Sequence, residues 1–260
     1  TMSLLKKQPL KNWPYGNNLG WFLIPFYVIV LCTGFKEDPK NPWVMIDGGK
    51  FTMGSEFCRV EQGNSDWCSD EIPHTVRLEG FAIHRYEVTN DEYYGCFKAG
   101  FCSPNDLHEF RPKDFNRGKQ PVTFVSWDQA VDFCEWVGGR LPTEAEWEFS
   151  ANTEILGGAY FGQKYDEGAP RLAGGLEFNS RGLFDMLGNV YEWTGDWYGP
   201  YEKSDKQINP KGPAFGKERV VRGGSWNSPA HFIRATDRIA RRPEYRYSDV
   251  GFRCVKPLDS

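Results

Sequence analysis

The sequence predicts an α+β domain that is irregular and loop-rich, with few short strands and about three helices. Aromatic residues make up 16% of the chain, with 10 Trp beside 28 Gly. That composition packs loops on large rings rather than building a helical bundle. Three Ser/Thr-x-x-Glu/Gln boxes, at Thr89, Ser126 and Thr143, mark helix starts, and short apolar runs broken by glycine supply the strands. A length of 260 residues allows one large domain with a substantial core.

In chain order, residues 1–20 carry Lys6, Lys7 and Lys11 and no acidic side chain, and an apolar run follows from Trp21 to Leu31. Eleven residues interrupted by Pro25 are too few to span a bilayer comfortably, and the pattern reads as an export signal over residues 1–34. A disordered arm or a membrane-anchoring helix is the alternative. Two processing routes stay open: lipidation of Cys32, which would anchor the chain to a membrane, or cleavage after Gly34. Either makes the mature protein extracytoplasmic, in the cell envelope or secreted. Residues 35–42 form a short linker, and the domain occupies 43–258.

Val44–Met53 alternates around Gly48 and Gly49 and reads as a hairpin-like pair of strands, Cys58–Ile72 as a polar loop and Thr75–Ile83 as a further strand. The box at Thr89 predicts a helix to about Lys98. The box at Ser126 predicts one with Ala130, Val131, Cys134 and Val137 on one face, stopped by Gly138 and Gly139. Thr143 opens a third helix, whose Glu144, Glu146 and Glu148 resemble a catalytic cluster. First-turn acids that offset the helix dipole are the simpler reading. Ser150–Asn179 shows no clear period, Asn209–Lys217 is a Pro/Gly loop, and Val220–Trp226 and Val250–Val255 read as closing strands. Net charge is −4 with no basic stripe, which argues against a nucleic-acid partner.

Seven cysteines stand at 32, 58, 68, 96, 102, 134 and 254. Without Cys32 the number is even, as suits an exported, disulfide-bonded domain. Cys96 with Cys102, and Cys58 with Cys68, are close enough to form local staples. No Cys-x-x-Cys spacing points to zinc or a redox dithiol.

The stretch from Arg181 to Tyr198 concentrates aromatics, glycines and carboxylates. Asp185, Gly188, Val190 and Glu192 stand at n, n+3, n+5 and n+7. With the carbonyls of Gly188 and Val190 turned inward, the loop offers four hard oxygens suited to a structural calcium ion. The same carboxylates can equally cap local backbone N–H groups without an ion.

Six ordered motifs carry a family resemblance: GGKFTMGS (48–55), EVTNDEYY (87–94), GRLPTEAEWE (139–148), DMLGNVYEW (185–193), RVVRGGSW (219–226) and GFRC (251–254). Over roughly residues 43–257 the chain resembles the formylglycine-generating enzyme family, also called the sulfatase-modifying factor domain. The resemblance implies its C-type-lectin-like fold and a disulfide between Cys134 and Cys254. In catalytic members two cysteines soon after RGGS bind Cu(I), which activates O₂ to oxidise a substrate cysteine, and soft thiolates suit that ion. Here no cysteine lies between Ser225 and Cys254, and an ungapped match puts Ser228 and Ile233 at the lost ligands. No copper and no catalytic residue are therefore expected.

Related iron-dependent sulfur-transfer enzymes use a histidine triad on a separate helical domain, whereas this chain has only His74, His84, His108 and His231. A Ser225–His231–Asp237 triad lacks a nucleophile elbow. The fold hosts several functions, and the expectation is a non-catalytic domain that binds a protein or glycan partner. The former active-site groove would supply Ser225, Trp226, Ser228, His231 and Arg234. Against this, Arg234 and Arg238 can pair with Asp237 and Asp249 simply to hold the C-terminal loops. The alternative function is an oxidoreductase of the same superfamily acting on a peptide or small substrate with a changed site.

Overall fold

A computed structural model of the protein describes residues 41–63, 66–151, 158–202 and 207–258. The export signal, Cys32 and most of the linker lie outside the described residues. The strands are β1 (Trp43–Ile46), β2 (Gly49–Met53), β3 (His74–Leu78), β4 (Phe81–His84), β5 (Tyr191–Trp197), β6 (Gln207–Ile208), β7 (Arg219–Arg222), β8 (Arg238–Arg241), β9 (Val250–Gly251) and β10 (Val255–Pro257). The helices are α1 (Phe57–Glu61), α2 (Asn90–Lys98), α3 (Pro112–Phe115), α4 (Trp127–Trp136) and α5 (Glu144–Ala151).

The three boxed sequences form α2, α4 and α5. At each, the capping hydroxyl accepts the amide three residues on, and that residue's side chain accepts the cap amide. The single-turn helices α1 and α3 were not legible in the sequence, because neither start carries a side-chain cap.

Strands are shorter and more divided than the sequence suggests. Val44–Met53 is not a hairpin: β1 pairs with β4 and β2 with β3. Ile46 faces Phe81 and Gly49 faces Leu78, so both chains cross between sheets at one level. A Cβ on Gly48 would stand 2.6 Å from the Leu78 carbonyl, and only glycine permits that crossing. Val220–Trp226 likewise stops at Arg222, where Gly223 and Gly224 take φ of 98° and 75°. Three sheets result, ordered β1-β4-β10, β2-β3-β6 and β8-β7-β5-β9.

Helix α5 lies against β2, β3, β5 and β7, and every one of its residues is buried. Around it gather Val76, Phe81, Leu183 and Met186, while a second core unites Tyr93, Phe133, Trp193, Val221 and Phe252. Cys134–Cys254 ties α4 to the C-terminal segment, and Cys58–Cys68 and Cys96–Cys102 close local loops.

Burial on all sides gives the α5 glutamates the structural role expected of them, held by ion pairs in addition to the helix dipole. Glu144 takes two bonds from Arg238, at 2.8 and 2.7 Å. Glu146 takes two from Arg140, both at 2.7 Å, and Glu148 pairs with Arg222. A buried carboxylate without such a partner costs several kcal/mol.

Candidate functional site

Two loops on either side of β5 and β7 carry the residues singled out in the sequence. The first is the turn that leads into β5. Asp185, Gly188 and Asn189 all have positive φ there, at 54°, 80° and 55°. A Cβ on Gly188 would lie 2.5 Å from the Tyr160 carbonyl oxygen. The amides of this turn are committed: Gly188 donates to Gly223 O, Asn189 to Tyr160 O, and Val190 to Glu87 Oε1.

Three carboxylates converge here: Glu87 (1% exposed), Asp185 (6%) and Glu192 (1%). Arg253 binds both oxygens of Glu192, whose Oε2 also accepts Trp147 Nε1 at 2.8 Å. Glu87 accepts Asn189 Nδ2 at 2.6 Å, and Asp185 accepts the Gly174 amide. Burial lifts the Asp185 carboxyl to about 6 against the pull of the Gly174 amide and Arg253. Burial, then repulsion from Asp185 and Glu192, drives Glu87 well above the carboxylate range. Asp185 and the carbonyls of the turn are hard oxygens of the kind Ca²⁺ takes, while both Glu192 oxygens are already held by Arg253 and Trp147. Among the described residues no three His, Cys, Asp or Glu side chains are grouped to hold a metal by themselves. An ion at this turn would therefore depend on the carbonyls of Gly188 and Val190 beside Asp185 and Glu192.

The second loop follows β7. Gly224 packs on Ile233, whose Cδ1 would lie 2.4 Å from an added Cβ. Ser225 Oγ donates to Asn227 Oδ1 at 2.7 Å and lies 3.0 Å from Ser228 Oγ, which in turn accepts the Ser225 amide at 3.0 Å. Trp226 does not line a groove. It is 0% exposed, and its ring packs on Phe115 and Tyr165 at 5.8 and 5.9 Å. The two left-handed glycines turn the chain so that this indole enters the core. Ser225 and Ser228 are buried as well.

A 3-10 turn at Ala230–Phe232 then brings out an exposed His231. Trp67 stands edge-on to the rings of His231 (5.1 Å) and Phe232 (5.6 Å). The Arg234 guanidinium lies 4.2 Å over the Phe57 ring, with Nη2 2.6 Å from Glu71 Oε1 and 3.2 Å from Asp237 Oδ1. Phe57, Trp67 and Glu71 were missed in the sequence. Their one available signal is that an aromatic residue precedes each cysteine of the Cys58–Cys68 staple. The C-terminal arginines therefore serve the scaffold: Arg234 holds Glu71 and Asp237, Arg238 holds Glu144, and Arg241 lies 4.0 Å from Asp249. No triad forms, because Ser225 bonds Asn227, His231 packs on rings, and Asp237 faces Arg234.

Copper does not fit this loop. Ser225, Asn227 and Ser228 offer hard oxygens, Ile233 offers a hydrocarbon, and all six cysteines of the described domain are in disulfides. Cu(I) prefers sulfur.

The profile of the sulfatase-modifying factor enzyme 1-like domain matches residues 33–258. The chain belongs to this family. Formylglycine-generating enzyme of Mus musculus is 36% identical over 86% of the chain and 77% of its own length. The mouse protein named inactive C-alpha-formylglycine-generating enzyme 2 is 34% identical over 86% of the chain and 88% of its own length. Serine/threonine-protein kinase pkn1 of Chlamydia pneumoniae is 34% identical over 86% of the chain, which spans only 40% of that protein. Among solved structures, PvdO from Pseudomonas aeruginosa superposes with a TM-score of 0.70 at 26% identity, covering 83% of this chain and 94% of that one. Membership of the sulfatase-modifying factor family accounts for the fold.

Proposed function

We propose that this chain is a non-oxidising member of the formylglycine-generating enzyme family that binds a protein or glycan partner. The observation that carries this reading is the donor set after RGGS: Ser225, Asn227 and Ser228 offer oxygen and no thiolate, and every described cysteine is already bonded to another. The binding surface is the rim formed by Phe57, Trp67, His231 and Phe232 beside Arg234. Glu71 already neutralises Arg234, so the rim is aromatic and polar rather than strongly cationic. Such a surface suits the apolar face of a sugar ring or a planar peptide side chain better than a polyanion. Calcium at the Asp185–Glu192 turn is part of the proposal and would fix the approach to β5. Three disulfides suit an oxidising compartment and support an extracytoplasmic location.

The test is a glycan array and a displayed peptide library probed with the chain and with Trp67→Ala. Ligands that are bound by the parent and lost in the variant support the rim. A parallel incubation with a cysteine-containing peptide, Cu(I) and O₂ should yield no aldehyde. Formylglycine in that peptide would contradict the binding role.

A further inference from the structure

A cavity of about 410 Å³ is lined by the start of α5, the end of β5 and the loop at Pro210–Pro213. Its polar wall is unusual in offering mainly acceptors. Asp196 is buried there, with Oδ2 accepting the Glu144 amide at 2.8 Å. The other oxygen faces Gly212, where an added Cβ would stand 2.9 Å from Oδ1. His74 Nδ1 lies 2.9 Å from the Ile72 carbonyl, which can only accept, so Nδ1 carries the proton. Nε2 is left as a buried acceptor with no partner among the described residues.

Among the described lining residues an anion could use only Lys211, which is exposed. Arg238 gives Nε and Nη2 to Glu144 and Nη1 to Gly199 O, so its donors are directed at the protein itself. A bare metal ion fits no better, since His74, Glu144 and Asp196 are not grouped as a metal site and the space is far larger than an ion. The rest of the wall combines hydrocarbon and ring, from Met53, Tyr201 and Pro213, with the polar side chains of Glu202, Gln207 and Lys211. The buried Asp196 carboxylate beside the apolar groups of Met53, Tyr201 and Pro213 is the complement of an alkyl chain that ends in a cation.

We infer that this cavity binds a ligand with an ammonium or guanidinium group on a short methylene chain, the cation at Asp196 and the chain between Met53 and the proline loop. A lysine or arginine side chain of a peptide and a free alkylamine share this chemistry. Gly212 is the residue that keeps the Asp196 end open. Burial lifts the Asp196 carboxyl to about 7, with Glu144 and Glu146 adding repulsion and the Glu144 amide and Arg238 opposing it. A bound cation favours the ionised form, so ligand binding releases a proton near neutral pH and strengthens as pH rises.

The experiment is calorimetric titration of the full chain with agmatine and with butylammonium, N-acetylbutylamine serving as the uncharged control and a blocked lysine peptide as the second source. Saturable binding of the cations without the neutral amide is expected. Preference for the peptide over agmatine and butylammonium would identify a side chain as the occupant, and the reverse a free amine. Asp196→Asn, which retains an acceptor for the Glu144 amide, should weaken binding by roughly tenfold or more. Should that variant fail to fold, parent affinity measured from about pH 8 down to about pH 5.5 gives an independent readout, and it should fall as Asp196 takes its proton. Absence of saturation, equal binding of the neutral amide, or an affinity unmoved by both pH and Asp196→Asn would overturn the inference.

Discussion

Arg253 and Glu192 form a two-point ion pair sealed from solvent, Nη2 to Oε1 at 2.6 Å and Nε to Oε2 at 2.7 Å. The other Arg253 donors reach the carbonyls of His84, Arg85 and Phe184. One guanidinium thus joins the end of β4, the turn before β5 and the GFRC segment. Removing one partner of a buried pair leaves the other charge stranded, so Arg253→Met should cost about 3–5 kcal/mol. Urea unfolding measures this. A cost within about 1 kcal/mol, the range of exposed pairs, would show that the pair does not organise the core.

Calcium at the same turn is tested separately. Asp185→Ala and Glu192→Ala should each lower the melting temperature in Ca²⁺ and remove the shift that EDTA produces in the parent. Both variants keeping the full EDTA shift would place the ion elsewhere.

The buried carboxyls give stability a defined pH dependence. Burial raises Asp185 to about 6 and Asp237 and Asp196 to about 7. In the unfolded chain such groups titrate near about 4. The folded chain therefore binds more protons between roughly pH 4 and 7, and these groups make stability fall as pH rises through that window. Glu71 acts oppositely: burial pushes it up, but hydrogen bonds and charge from Arg234 prevail and lower it. Its contribution is lost only as pH drops below the ordinary carboxylate range. Thermal melts in EDTA should give a higher midpoint near pH 5.5 than near pH 7.5, and Ca²⁺ should narrow the gap by favouring ionised Asp185. A midpoint that rises steadily with pH in EDTA would contradict the burial of these charges.

The Cys58–Cys68 staple fixes Phe57 and Trp67 over Arg234 and His231. Replacing both cysteines by serine should cost about 2–3 kcal/mol and abolish partner binding at the rim. Replacing Cys96 and Cys102 should cost a similar amount and leave binding intact. Equal binding by both double variants would remove the rim from the function.

Much of the fold was legible because it rests on local chemistry. Three capping boxes placed α2, α4 and α5, and the cysteine spacing gave the two local disulfides. The third disulfide came from family resemblance, as did the fold itself. Strand pairing was not legible: the crossing at Gly48 depends on the Leu78 carbonyl 30 residues away, and no local pattern records that contact. At the candidate site the absence of thiols after RGGS was plain in the sequence, whereas the fate of Trp226 was not. A tryptophan beside a turn reads as a groove wall until Phe115 and Tyr165 are seen to enclose it. The pairing of Arg234 with Glu71 spans 163 residues, which is why Trp67 and Phe57 were missed.

Copper retention tests the central claim most directly. The purified chain, loaded with Cu(I) under reducing conditions mild enough to keep its disulfides and then desalted, should carry no copper above background. One tightly held copper per chain, with O₂ consumption on adding a thiol peptide, would contradict the binding role and establish an oxidase.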